Sequence, residues 1–252
     1  MVDGQSIGWS INFLLMKLPA FGILIASLLA MASCTPIRIA LDPGLQGQSS
    51  CYPVHGRQQL RLKPHLQYGP YSTIKVRRGA VTSYQVNFRV RFSGATQRMR
   101  ILQRQKDDAA VDTIMTYARF KQSDVPLWQG RIALPLSYSH LMTGEIRCSG
   151  EPLVEFVMFR PETTLRRQSL CGHLDIPGQP LIEIHSIRTL EGNRRWLGAT
   201  HAGLRYEQDG RVLGQISLLN RGEVCLASDL QPRVERCLAA MSTALLLKQN
   251  LE

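Results

Sequence analysis

Residues 84–92 alternate without a break. Tyr84, Val86, Phe88, Val90 and Phe92 are aromatic or branched, and Gln85, Asn87, Arg89 and Arg91 between them are polar. A period of two puts the sets on opposite faces of a strand, so the spacing predicts an antiparallel sheet with one wet face. Shorter alternations fall at 59–63 and 73–77, and 98–102 reads as a return strand after the Ser93-Gly94 break. The stretches 114–120, 128–134, 144–148 and 153–159 read as further strands, separated by Gly, Pro, Asn and Asp turns such as Asp107-Asp108. Residues 56–160 are therefore expected to form an antiparallel β-sandwich or barrel.

Residues 161–180 break the pattern with Arg166-Arg167, Cys171-Gly172 and Pro177-Gly178-Gln179-Pro180, and read as a linker or long loop. The strand signal returns over 181–252. Two strands meet at Gln208-Asp209-Gly210-Arg211, a hairpin with Asp-Gly at its tip, and a second turn, Asn220-Arg221-Gly222, leads into 223–227. Asp229 then reads as a helix N-cap, with Pro232 in the first turn, where its missing N–H is harmless. Val234, Cys237, Leu238, Met241 and Leu245 give the helical stripe. From Cys237 to Leu247 only Ser242 and Thr243 are polar. Such a helix is apolar nearly all round and is expected to be buried; it is shorter than the roughly 20 residues of a membrane span. The fold class is thus mainly β, ending in a β-meander with a buried C-terminal α-helix. Two packings satisfy that helix: it covers one face of a small sheet, or the strands close round it. The second is similar to the tubby and phospholipid-scramblase barrels, whose chains also end in an apolar helix. That resemblance implies one domain for the whole of the β part and a phospholipid ligand. Trp128 followed by a Gly144-x-x-x-Cys148 strand resembles the immunoglobulin-like sandwiches in pattern only.

The N-terminal region carries a different pattern. Lys17 precedes an apolar run, and small residues precede Cys34, the order of a secretory signal. Met31-Ala32-Ser33-Cys34 resembles the lipobox of bacterial lipoproteins, with Met31 in the place commonly held by leucine. The resemblance implies that Cys34 is lipidated and becomes the N-terminus, with 1–33 removed. Asp3 and the position of Lys17 suit a signal that begins at Met16. Residues 34–55, with Asp42-Pro43-Gly44 and Gly47-Gln48-Ser49-Ser50, read as a tether. Thr35 is not aspartate, which in lipoproteins of cells with two membranes implies sorting to the outer membrane, facing the periplasm.

The formal net charge of the 252 residues is +11, carried mostly by arginine. A GC-rich genome supplies arginine by itself. The functional reading is attraction to an anionic envelope polymer, a lipid headgroup or an envelope protein, with Arg89, Arg91, Arg98 and Arg100 as a patch on the wet sheet face. Nucleic acid is excluded as a partner by the export reading and by the lack of any binding signature. Cys34 apart, Cys51, Cys148, Cys171, Cys225 and Cys237 remain, an odd number for an oxidising compartment. Cys148 with Cys171 is the first expected disulfide and Cys225 with Cys237 the second; Cys237 also reads as a small core residue. No nucleophile elbow, zinc-protease helix, phosphate loop or dinucleotide fingerprint occurs, so no catalytic residue, metal or cofactor is assigned. His140, His173, His185 and His201 are scattered, and Cys171-Gly172-His173 is the one close Cys/His pair. The expected function is that of a lipid-anchored envelope protein with a binding or structural role. The competing class is an envelope hydrolase, with His173 or His185 beside a carboxylate in a deep pocket.

Overall fold

The computed structural model describes residues 36–57, 65–87, 91–127, 132–148, 150–159, 170–197 and 201–248. Its compact unit is Arg38–Glu252; the signal-like stretch and Cys34 lie outside the described residues. The strands are β1 (Ser49–Pro53), β2 (Gln67–Tyr68), β3 (Tyr71–Arg78), β4 (Thr82–Asn87), β5 (Arg91–Gln105), β6 (Val111–Leu127), β7 (Ile132–Arg147) and β8 (Val154–Phe159). They continue as β9 (Leu170–Asp175), β10 (Ile182–Ile187), β11 (Thr189–Leu190), β12 (Arg194–Arg195), β13 (Gly203–Gln208), β14 (Arg211–Ser217) and β15 (Glu223–Ala227), and the chain ends in helix α1 (Pro232–Leu247).

All but β11 and β12 belong to one 13-stranded sheet, in the order β1-β15-β14-β13-β10-β9-β8-β7-β6-β5-β3-β2, with β4 added beside β5. Every pairing is antiparallel. His55, just past β1, exchanges backbone hydrogen bonds of 2.8 and 3.0 Å with Gln67 of β2, which brings the two ends of the sheet together. The result is a nearly closed barrel. The Asp-Gly hairpin joins β13 to β14 as its sequence predicts: Asp209 and Gly210 take φ values of 50° and 78°, both in the left-handed region that a type I′ turn requires.

Helix α1 fills the barrel. Every residue from Cys237 to Leu247 is buried, Ser242 and Thr243 included, so of the two packings the strands close round the helix. Its polar atoms are met from several sides. Tyr68 on β2 donates to the Ala239 carbonyl (2.6 Å) and bonds Thr243 (2.9 Å). Thr243 donates to Gln103 on β5, and Tyr206 on β13 bonds Ser242 at 3.1 Å. Burial holds the Tyr68 and Tyr206 hydroxyls protonated by raising their pKa values well above the usual tyrosine range. At the helix end, Arg57 and Arg78 donate to the Leu246 and Leu247 carbonyls at 3.1 and 3.3 Å, satisfying acceptors that a helix terminus leaves open. Near its start, Arg236 grips the fully buried Asp112 of β6.

Several expectations are corrected. Residues 84–92 are not one strand: β4 ends at Asn87, β5 begins at Arg91, and Asn87 stands opposite Arg91. The pair runs on beyond the core, so Tyr84, Val86 and Phe92 are exposed; Val86 faces Phe92, and Gly94 leaves room for the Tyr84 ring. Residues 49–53, read as tether, form β1 against β15. The expected linker contains β9, which pairs with β8 and β10 and so carries the sheet across it; residues 160–169 lie outside the described residues. The stretches 56–160 and 181–252 thus share one sheet and one core. The N-cap of α1 is Gln231, since the Asp229 carboxylate is taken by Arg211.

Candidate functional site

Five neighbouring strands, β3, β5, β6, β7 and β8, shape a groove of about 740 Å³ on the barrel wall. The strand period decides its lining. On β6 the even positions Ile114, Thr116 and Ala118 are buried, and Met115 and Tyr117 face outward. Register then aligns the outward side chains in two rows across the sheet. One reads Arg77, Arg100, Met115, Glu145, Glu155 and, on β9, Asp175. The next reads Arg98, Tyr117, Thr143, Val157 and His173. Between them the inward row includes Gly144, where a Cβ would stand 2.2 Å from Cζ of Phe156. Glycine there lets the Phe156 ring lie flat beneath the groove.

The groove is basic at one end. Arg77, Arg98 and Arg100 have no carboxylate partner among the described residues. The Arg98 guanidinium stands 5.8 Å from the Tyr117 ring centroid, a cation–π contact that holds it over the groove. The far end is acidic: Glu145 pairs with Arg147 at 3.0 Å, and Glu155 has no basic partner among the described residues. Met115, Tyr117 and Val157 make the ground between them apolar.

Of the four arginines expected to form one patch, Arg98 and Arg100 line the groove. Arg91 does not join them. It lies on the same strand at an odd spacing from both, so its side chain leaves the other face; the expectation assumed two strands where there is one. Arg89 lies outside the described residues. Arg77, Met115, Tyr117, Glu145, Glu155 and Val157 were not anticipated, because they meet only through cross-strand register.

The cysteines also pair differently. Cys51 on β1 is bonded to Cys225 directly opposite on β15, while Cys148, Cys171 and Cys237 carry buried free thiols. Cys148 and Cys171 are parted by β8, two strand spacings or about 10 Å, beyond the roughly 7 Å Cα separation that a disulfide spans. Cys225 is committed to Cys51 and packs with Leu45 and Ala227, away from the core that holds Cys237. Cys171 donates to the Ile184 carbonyl at 3.2 Å, and burial pushes its thiol up to about 12. Cys148 and Cys237 share the core: interaction with Cys237 raises the Cys148 pKa, and interaction with Cys148 lowers that of Cys237.

His173 ends the second row on β9, and His185 bonds Glu183, two residues away on β10, at 2.8 Å. Neither lines the groove, and among the described residues no serine or cysteine bonds His185. Among the described residues no group of three His, Cys, Asp or Glu is placed to hold a metal ion, and no helix is long and apolar enough to cross a membrane. Compared with known proteins, the chain matches no family model, no curated protein and no solved structure.

Proposed function

We propose that this is a lipid-anchored cell-envelope protein, held to the membrane through Cys34, whose barrel binds a ligand in the groove of β3 and β5–β8. The observation that carries the reading is the groove itself. Three arginines without carboxylate partners stand beside an apolar floor of Met115, Tyr117 and Val157. All three arginines are exposed, so their guanidinium groups stand open to bond the oxygens of an anionic ligand in a forked geometry. The lipobox-like Met31-Ala32-Ser33-Cys34 supports the anchor, and a bonded Cys51–Cys225 pair suits an oxidising compartment. In a cell with two membranes, Thr35 directs the anchor to the outer one, with the barrel in the periplasm. The ligand is an anionic group of a lipid or an envelope polymer. A phospholipid-binding role like that of the tubby and scramblase barrels is supported by the enclosed C-terminal helix.

The test has two parts. Cells fed a clickable fatty acid should label the parent chain and not a Cys34→Ala variant, which should leave the membrane fraction. The double variant Arg98→Gln/Arg100→Gln should stay labelled and folded but lose retention on phosphate-bearing lipid films. Labelling of Cys34→Ala, or unchanged retention of the double variant, rejects the corresponding half.

A further inference from the structure

We infer that the groove takes a zwitterionic amphiphile, with its anionic group on Arg77 and Arg100, its ammonium group on Glu145 and Glu155, and its apolar chain along Tyr117 and Val157. The inference rests on the reading of the groove as the binding site and names the ligand's chemistry.

The outward row sorts its charges. Arg77 stands directly opposite Arg100, Glu145 opposite Glu155, and Glu155 opposite Asp175, with Met115 between the basic and acidic halves. Like charges directly opposite on a sheet destabilise it. An alternation of sign along the same row would stabilise the sheet instead. Three like pairs on one row therefore work against the fold, and they produce a fixed dipole across the groove. The excess of basic residues in the chain explains the arginines and cannot explain a run of three carboxylates.

Arg100 and Glu145 are two strands apart, about 10 Å between backbones, and both project from the outward face. A phosphate joined to an ammonium by a short linker fits between them. The guanidinium groups bond phosphate oxygens in a forked geometry, and an ammonium donates to carboxylates. Arg147 already shares Glu145, but that pair is exposed, with side chains 60% and 39% accessible, and such pairs contribute little, so a ligand ammonium displaces or joins it at small cost. A purely anionic amphiphile satisfies the arginines and meets the carboxylates; a purely cationic one does the reverse. The second row, Arg98, Tyr117, Thr143 and Val157, supplies apolar surface for one chain beside the headgroup row.

The experiment uses washed membranes carrying the full-length chain. Photoreactive amphiphiles with one common diazirine-bearing tail and a phosphoethanolamine, phosphate, ammonium or uncharged head are cross-linked, and the labelled peptides are mapped by mass spectrometry. The phosphoethanolamine probe should label peptides containing Met115, Tyr117 or Val157 at least about threefold more than the phosphate probe, the factor one partly exposed charge pair supplies. Glu145→Gln/Glu155→Gln should remove that advantage while groove labelling by the phosphate probe persists. Equal labelling by the phosphate and phosphoethanolamine probes in the parent overturns the dipolar assignment and leaves the groove as the site. Labelling no stronger than that of the uncharged probe by every charged probe overturns both.

Discussion

Arg236 on helix α1 holds Asp112 on β6 through two hydrogen bonds from Nε, at 2.8 and 2.9 Å, and Asp112 is wholly buried. A further bond runs from Arg236 to Asp108 at 2.9 Å. The hydrogen bonds to Asp112 raise the arginine pKa above its usual value, against the effect of burial. The pair fixes the rotation of the helix inside the barrel.

Removing one partner strands a charge. Arg236→Met should cost about 3–5 kcal/mol, because Asp112 stays buried without its counter-ion. Replacing both, as Asp112→Leu with Arg236→Met, should cost less than the single change. Denaturant melts of the parent and the two variants check the order.

The Cys51–Cys225 bond closes a loop of 174 residues. For a loop of that length the chain-entropy model gives about 5 kcal/mol. The double variant Cys51→Ser/Cys225→Ser should lose stability of that order, and non-reduced peptide mapping should find Cys51 linked to Cys225 and to no other cysteine.

The enclosed helix makes the core sensitive at single positions. Leu245→Ala should cost roughly 2–5 kcal/mol, and Leu238→Asp should prevent folding, since Leu238 is 0% exposed within the apolar core. Thermal melts that keep both variants within a degree or two of the parent would show the helix to be peripheral.

The free thiols should differ in reactivity. Cys171 has its pKa raised to about 12 by burial, whereas an unfolded cysteine ionises near 8.5. Its contribution to stability is therefore complete below about pH 8.5 and is lost as pH rises toward the folded value. Alkylation at pH 9 should spare Cys171 in the native protein and modify it after denaturation. Mild disulfide-exchange oxidants should link Cys148 with Cys237, which interact in the core, and not Cys148 with Cys171.

Much of the fold was legible because it depends on local period. The alternation marked most strands, Asp209-Gly210 marked its hairpin, and the unbroken apolar run of 237–247 marked a buried helix. What was not legible depends on register. Nothing local in Tyr84–Phe92 announces that β4 ends at Asn87 and pairs antiparallel with β5 from Arg91, and the alternation of the sequence runs on as if one strand were present. The groove shares that difficulty. Arg100, Glu145 and Glu155 lie on three strands whose alignment is set by the whole barrel, so a run of arginines in one segment was visible while the carboxylates facing them were not. The disulfide was missed for the same reason: Cys51 and Cys225 become neighbours only when β1, early in the chain, pairs with β15, late in it.

The centre of this molecule is helix α1, which follows all fifteen described strands in the chain. β1 waits for β15, and the cavity inside the strands waits for the sixteen residues of α1. Without α1 the barrel is hollow, its apolar lining open to water and to proteases. The solubility of the wall thereby depends on a segment that is no part of it.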